Sequence, residues 1–322
     1  MHIGMIAYQR LDRAKDKIRA CVVGCGRMGA TIDDELPPPL HAWRPMAHVA
    51  ALRSLAEVDL VAVCSRSARR AEAVRRRFGV PSCYTELARM LAAERPDLLC
   101  IATPPESHLA IIECAVAAGV RALYCEKPLG RTLGEVDRIV ALVEGAGVHF
   151  HYGAQRRFME PYRWAKQLVV SGAEGALVAV RIVNSPAPLY HIHSHSVDLL
   201  LYFCGGAPLH VAAELERQSD PDPILLGATF HFENGVRAEI AAGDGFEVAL
   251  QMGLSTLVIG DNGTRVEWRP PRARRVVFSP VRSGVVAALG ELLAALRQET
   301  PFCSTLRSAQ LGMQVLAQLA NE

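Results

Sequence analysis

Residues 20–29 read A-C-V-V-G-C-G-R-M-G: an apolar, β-rich run stops at Gly24 and continues as Gly24-x-Gly26-x-x-Gly29. No other stretch constrains the chain as strongly, because this is the spacing of a dinucleotide-binding strand, turn and helix start. Each glycine has its own job. Gly24 makes the tight turn, Gly26 lets the backbone approach a pyrophosphate, and Gly29 lets helix pack on strand. The phosphates then meet unpaired N–H groups at the helix N-terminus. An ordinary strand-to-helix turn is the competing reading, since a chain with 25 glycines produces the spacing by chance.

The following residues weigh against chance. Strands are predicted over 60–64, 97–102, 122–125 and 148–152, with a helix ending at Phe78 and others over 109–118 and 132–145. Such alternation predicts an α/β Rossmann fold: a doubly wound parallel sheet with ligands at the carboxyl ends of its strands. The distinctive residues all fall at those ends. Ser65-Arg66 follows the second strand, T-P-P-E-S-H (103–108) the third, and Glu126-Lys127-Pro128 the fourth. An acidic residue at the second end would bond the adenosine ribose of NAD. Here a hydroxyl and a guanidinium stand instead, a pair suited to a 2′-phosphate, so NADP is the expected cofactor and NAD the alternative. A solvated helix face explains Arg69 and Arg70 and is the competing reading for Arg66.

Residues 30–46, A-T-I-D-D-E-L-P-P-P-L-H-A-W-R-P-M, read as an insertion, because prolines at 37, 38, 39 and 45 cannot lie in a helix interior. Helical pattern resumes over 47–52. His41, Trp43 and Arg44 would form a lid or substrate wall near the nicotinamide end; the plainer alternative is a surface loop with a packed tryptophan. The 322 residues, 50% hydrophobic and 21% charged, suffice for two domains. A net charge of +2 without a basic tract gives no sign of nucleic acid or an anionic membrane as partner, and no apolar run reaches the ~18 residues of a membrane span. Nine cysteines without a C-x-x-C pair predict reduced, mostly buried thiols in a cytoplasmic protein. Residues 1–17 are mixed and basic, lack the apolar core of a secretory signal, and carry Asp12 and Asp16, which argue against a transit peptide. They are expected to form an arm.

G-C-G-R-M-G (24–29), A-T-P-P-E-S-H (102–108) and C-E-K-P-L (125–129) together resemble the Gfo/Idh/MocA family of nicotinamide-dependent oxidoreductases, which includes glucose-fructose oxidoreductase and inositol dehydrogenase. The likeness covers about residues 17–322. It implies that Lys127 faces substrate and nicotinamide and that Pro128 follows a cis peptide bond. A lysine there can donate to a substrate oxygen and stabilise developing alkoxide charge. The implied cofactor contacts are Gly24, Cys25, Gly26, Arg27, Met28, Gly29, Ser65, Arg66, Thr103, Pro104, His108, Glu126 and Lys127.

Two further segments resemble the family. G-A-Q-R-R-F-M-E-P (153–161) is similar to its entry into a substrate domain, with Gln155 and Arg157 at the polar positions; either could reach the cofactor, an anionic substrate group or the neighbouring domain. Y-H-I-H-S-H-S-V-D-L-L-L (190–201) is similar to D-x-G-x-H-x-x-D-L-L, which makes His195 the acid–base histidine and Asp198 the aspartate one turn later. His191 then stands in place of the first aspartate and His193 in place of the glycine. A histidine near pKa 6.5 shuttles protons at neutral pH. Without the carboxylate, the charge that would raise the His195 pKa and grip a polyol is gone, so the substrate is not expected to be free inositol or glucose. Histidines at i, i+2 and i+4 would suit zinc on a strand. No other ligand cluster lies nearby, and no metal is expected. Asp198 has its own plain reading, since an acid in a first helical turn is favoured by the dipole alone.

The second half reads as an α+β domain with a large open, mainly antiparallel sheet. Strands are predicted over 228–232, 237–241 and 251–259, with hairpin turns at Asn234-Gly235 and Asn262-Gly263. Helices over 284–298 and 304–320 carry apolar stripes that read as core. The resemblance implies that the free sheet face pairs with other copies, giving a dimer or tetramer. The layout is then an arm (1–17), a dinucleotide domain (18–150, insertion 30–46) and a substrate and oligomerisation domain (151–322). The expected activity is NADP-dependent hydride transfer to or from a carbinol or ketone carbon of a small sugar-like substrate. Lys127 would polarise the oxygen and His195 act as acid–base, with Arg157, His191, Asp198 and Trp43 lining the substrate. A redox-assisted elimination, or a nicotinamide-binding sensor without chemistry, are the alternatives.

Overall fold

The computed structural model describes residues 17–217, 222–253, 255–269, 274–276, 282–298 and 302–322. The expected arm lies outside them except for Lys17. β1 (Ile18–Val23) is almost wholly buried and leads to a single π turn, Arg27–Thr31, and to α1 (Ile32–Glu35). Helix therefore continues through Glu35, into the stretch expected to interrupt it, because the first proline comes only at Pro37. A tight turn, Pro38–Trp43, follows. α2 (His48–Arg53) begins where the Asp33 carboxylate accepts hydrogen bonds from the N–H groups of Met46 and Ala47, at 2.7 and 3.2 Å.

Next come β2 (Val58–Cys64), α3 (Ala68–Phe78), β3 (Ser82–Tyr84), α4 (Leu87–Glu94) and β4 (Leu98–Ile101). α5 (His108–Ala117), β5 (Ala122–Cys125), α6 (Leu133–Gly145) and β6 (His149–Tyr152) complete the first layer. The strands lie in the order β3-β2-β1-β4-β5-β6, all pairs parallel. Chain direction across the sheet reverses between β1 and β4, which opens a crevice at their carboxyl ends.

α7 (Glu160–Ser171) leads into the second sheet, built from β7 (Leu177–Asn184), β8 (Ala187–Pro188), and, after α8 (Ser194–Cys204), β9 (Pro208–Glu216) and β10 (Ile224–Phe232). β11 (Arg237–Ala242), β12 (Phe246–Met252), β13 (Ser255–Gly260), β14 (Arg265–Arg269) and β15 (Arg274–Val276) follow. The order is β15-β14-β13-β12-β7-β11-β10-β8, with β9 also on β10, and the β7–β11 pair is parallel while the others are antiparallel. Residues 251–259, expected as one strand, are two. Gly253 takes a left-handed φ of +53° and folds the chain back so that Met252 pairs with Ser255.

α9 (Gly284–Leu296) and α10 (Leu306–Ala320) follow the second sheet in sequence, yet α9 packs on the first. Its Val285, Ala288, Leu289 and Leu292 share a buried cluster with Ile18, Ala20 and Val22 of β1 and Val49 and Leu52 of α2. Each such leucine contributes about 1.5–3 kcal/mol by leaving water. α10 lies against α6 and α8.

The three glycines of the first turn face different surroundings. At Gly24 (φ +104°) a Cβ would stand 2.3 Å from the Ala102 carbonyl oxygen, and at Gly29 it would stand 1.8 Å from the Gly24 oxygen. At Gly26 nothing lies within 4 Å. Gly29→Ala is therefore expected to lower unfolding free energy in urea by roughly 3 kcal/mol or more, through overpacking of the backbone. Gly26→Ala should stay within about 0.5 kcal/mol of the parent. Equal losses for the two would contradict this assignment.

Candidate active site

The open space over Gly26 lies at the end of β1, beside the π turn whose N-terminal N–H groups are free for an anion. Arg27 is paired with Glu35. Cys25 points the other way: its side chain is buried, its thiol lies 3.8 Å from the Cys64 carbonyl oxygen, and burial raises it to about 12. Only its backbone faces the phosphate side. At the end of β2 the Ser65 N–H donates to Tyr84 O at 3.0 Å and Ser67 caps α3. Arg66 is exposed and makes no ion pair among the described residues, whereas the nearby Arg75, Arg76 and Arg77 are taken by Glu72 and Asp34.

The ends of β4 and β5 are tied together by His108. This fully buried ring lies 2.8 Å from the Thr103 carbonyl and 3.1 Å from the Leu129 carbonyl, and burial lowers its pKa. His108 thus braces two loops. Pro104 is exposed, and the Thr103 hydroxyl accepts from Ser107 at 2.8 Å. The Glu126 carboxylate is 6% exposed, 2.8 Å from His48 Nε2, and it accepts from the Lys127 N–H at 3.3 Å. Gly153 presses on it, since a Cβ there would stand 2.9 Å from Glu126 Cα. Glu126 is therefore a brace for the lysine loop, and the peptide between Lys127 and Pro128 is cis.

The Lys127 ammonium donates to the His191 carbonyl. The segment carrying that carbonyl is held by Asp222, whose carboxylate accepts from the N–H groups of Tyr190 and His191 at 2.8 and 3.0 Å. α8 starts at Ser194, so His195 occupies its first turn, with Nδ1 buried and unpartnered. Burial, reinforced by the positive charges of Arg156 and Lys127, holds its pKa well below 6.5. Burial also lowers Lys127, against the pull of Glu126. The Lys127 charge is the first cause of the lowered His191 pKa.

Arg157 and Asp198 meet each other instead of open space. The guanidinium makes a buried two-pronged ion pair with the carboxylate, Nε to Oδ2 at 3.0 Å. Burial raises the Asp198 pKa and Arg157 opposes that rise. Their expected place against substrate is thus replaced by a clamp between Gln155–Phe158 and α8. Trp43 is buried against Gly263 and Tyr162, where its ring would meet a Gly263 Cβ at 3.1 Å. His41 and Arg44 are exposed and reach the Leu36 carbonyl.

Lys127 meets the His191 carbonyl across 64 residues of sequence, and the charge of Lys127 reaches His195. His48, Asp222 and Arg156 belong to the same neighbourhood and were not singled out. His48 had a readable signal, a lone histidine opening the resumed helix; Asp222 and Arg156 had none. No cluster of three metal-ligating side chains occurs among the described residues. All nine cysteines are free thiols, six of them buried. No described helix is long and apolar enough to cross a membrane.

Residues 18–154 match the model of an oxidoreductase family with an NAD-binding Rossmann fold. The chain is 33% identical to D-apiose dehydrogenase of Paraburkholderia graminis over 132 residues, 41% of this chain and 31% of that protein. Matched stretches span between 31% and 55% of the length of four curated relatives. Solved structures align along nearly the whole chain. A dehydrogenase from Chromobacterium violaceum superposes with a TM-score of 0.80 at 19% identity, covering 96% of this chain and 95% of that one. Scyllo-inositol dehydrogenase of Lactobacillus casei, solved with NAD(H) and scyllo-inositol, gives 0.73 at 18%, covering 95% and 96%.

Histidines buried in neutral form make stability pH-dependent. His193 is 1% exposed, and burial brings it down to about 4. Its unfolded form takes a proton near 6.5 while the folded form does not, so its contribution is whole above 6.5 and is lost as pH falls toward 4. Unfolding free energy should drop between pH 7 and 4.5, with up to about 3 kcal/mol of the drop due to this ring. In His193→Asn the slope should flatten; an unchanged slope would contradict the assignment.

Proposed function

We propose that this chain, whose residues 18–154 match the model of the Gfo/Idh/MocA oxidoreductase family, moves a hydride between a nicotinamide cofactor and a carbinol or ketone carbon of a small sugar-like substrate. The observation that carries this reading is the contact of Lys127 with the His191 carbonyl, which draws the strand-end lysine and the histidine segment into one cleft. Relatives named D-apiose dehydrogenase and inositol 2-dehydrogenase support the substrate class.

The bound nicotinamide supplies the hydride acceptor or donor. The cradle over Gly26 and the π-turn N–H groups fit a pyrophosphate. Ser65 and the unpaired Arg66 would hold an adenosine ribose, and the guanidinium favours a 2′-phosphate, hence NADP over NAD. In the reducing direction Lys127 donates to the carbonyl oxygen and stabilises the alkoxide, while His195 delivers the proton. Oxidation runs in reverse. Its lowered pKa leaves His195 neutral near pH 7, the form that accepts the hydroxyl proton in oxidation; in reduction it first takes up a proton from solvent and then passes it to the alkoxide. The Arg157–Asp198 clamp positions the helix that carries His195, and Trp43 and His191 close the substrate side. Residues 18–150 are assigned to the cofactor and 151–322 to the substrate. A reducing, cytoplasmic location fits nine unpaired thiols. β9, exposed on alternate residues, fits an open face shared between two or four copies.

Titration with NADPH and NADH, followed by nicotinamide fluorescence, tests the cofactor. Arg66→Ala should weaken NADPH at least tenfold, about 1.4 kcal/mol, and leave NADH unchanged. Binding of neither would overturn the reading. Lys127→Ala and His195→Ala should each cut turnover of a polyol or keto-sugar by about 10²-fold or more with cofactor affinity retained. Full turnover in either variant would contradict its role.

A further inference from the structure

Adjacent arginines in the turn Gln155–Phe158 meet opposite fates. Arg157 is consumed by Asp198. Arg156, partly buried, makes no ion pair among the described residues. Its Nε and Nη2 both donate to one oxygen, Asn262 Oδ1, at 3.3 and 2.6 Å, and its Cζ lies 3.9 Å from the centre of the Phe246 ring. A guanidinium has five N–H donors, so donors remain beyond those that Asn262 and Tyr162 engage. The fully buried Tyr162 hydroxyl lies beside it and interacts with the guanidinium. Buried charge is normally paired, because an uncompensated cation in a poorly solvated site is costly.

The fold invests in aiming this group. Asp261, Asn262 and Gly263 take left-handed φ of 51°, 53° and 93° in succession, a conformation that is strained for a non-glycine residue. Gly263 is wedged between Trp43 and Tyr162, which fixes the turn and directs Asn262 at Arg156. The guanidinium also acts electrostatically on Lys127 and His195. Lys127 itself has no carboxylate in ion-pair range among the described residues, only the His191 carbonyl. The two carboxylates nearest it are committed, Glu126 to His48 and Asp222 to the Tyr190 and His191 N–H groups. Arg156 and Lys127 are thus two neighbouring cations, neither with a carboxylate in ion-pair range among the described residues.

Resting on the oxidoreductase reading above, we propose that Arg156 is a substrate anchor and that the substrate is a hydroxylated carboxylic acid of the aldonic or uronic type. The planar fork matches a carboxylate, with Lys127 left for the oxygen on the reacting carbon.

Calorimetric titration of the protein saturated with its oxidised cofactor tests this, using D-galacturonate against its methyl ester and D-gluconate against D-glucitol. Each acid should bind at least tenfold tighter than its neutral counterpart. Arg156→Gln should erase that preference while cofactor affinity stays within twofold, and Arg156→Lys should restore part of it. Equal binding of acid and neutral compound, binding of neither acid, tighter binding of galactose 1-phosphate than of galacturonate, or a preference that survives Arg156→Gln would overturn the proposal. Absence of cofactor binding by the parent protein would instead overturn the oxidoreductase reading, and the proposal with it.

Discussion

A hydrogen bond of 2.8 Å between His48 and Glu126, both shut away from solvent, is the contact on which the cleft depends. It joins the first residue of α2 to the end of β5, and Gly153 at the end of β6 closes over it. Three elements are thereby fixed around the residue that precedes Lys127. Removing either partner leaves the other buried and unsatisfied, which is the costly way to break such a pair. The lysine loop is braced again from below by His108, between the carbonyls of Thr103 and Leu129. Lys127 thus stands on a rigid mount.

Opposite that mount, α8 supplies His195 from its first turn, and the buried Arg157–Asp198 pair anchors the helix to the turn that also bears Arg156. One arginine is held by Asp198 and its neighbour by Asn262. Burial at His195, and the Lys127 charge at His191, lower both pKa values, and the positive charges nearby add to the shift, so both rings rest neutral. Asp222 restores a carboxylate near His191, but it is spent on backbone N–H groups and so shapes the segment more than it balances charge.

Most of the parallel sheet was legible in the sequence because a strand buried on both faces is a short apolar run, and each run ends at a turn residue. Lys127 and His195 were singled out only through the family resemblance, since each is otherwise an ordinary polar residue at the end of an element. The remaining features depend on contacts that spacing cannot carry. Glu126 finds its partner 78 residues away and Arg156 finds Asn262 106 residues away. Whether Arg156 or Arg157 faces the cleft is decided by which one Asp198 captures, and no local pattern records that choice. The β12–β13 turn was missed because one glycine inside an apolar run looks the same whether the chain continues or reverses.

The account stands on one spatial claim, that the carboxyl ends of β1, β2 and β5 form a single nicotinamide cleft closed by α8. A crystal structure with oxidised cofactor bound tests it most directly. The expected result has the pyrophosphate over Gly26, the adenosine ribose beside Arg66, and the nicotinamide ring between the Lys127 ammonium and the His195 ring. A cofactor lying elsewhere, or a nicotinamide pointing away from both side chains, would contradict the account.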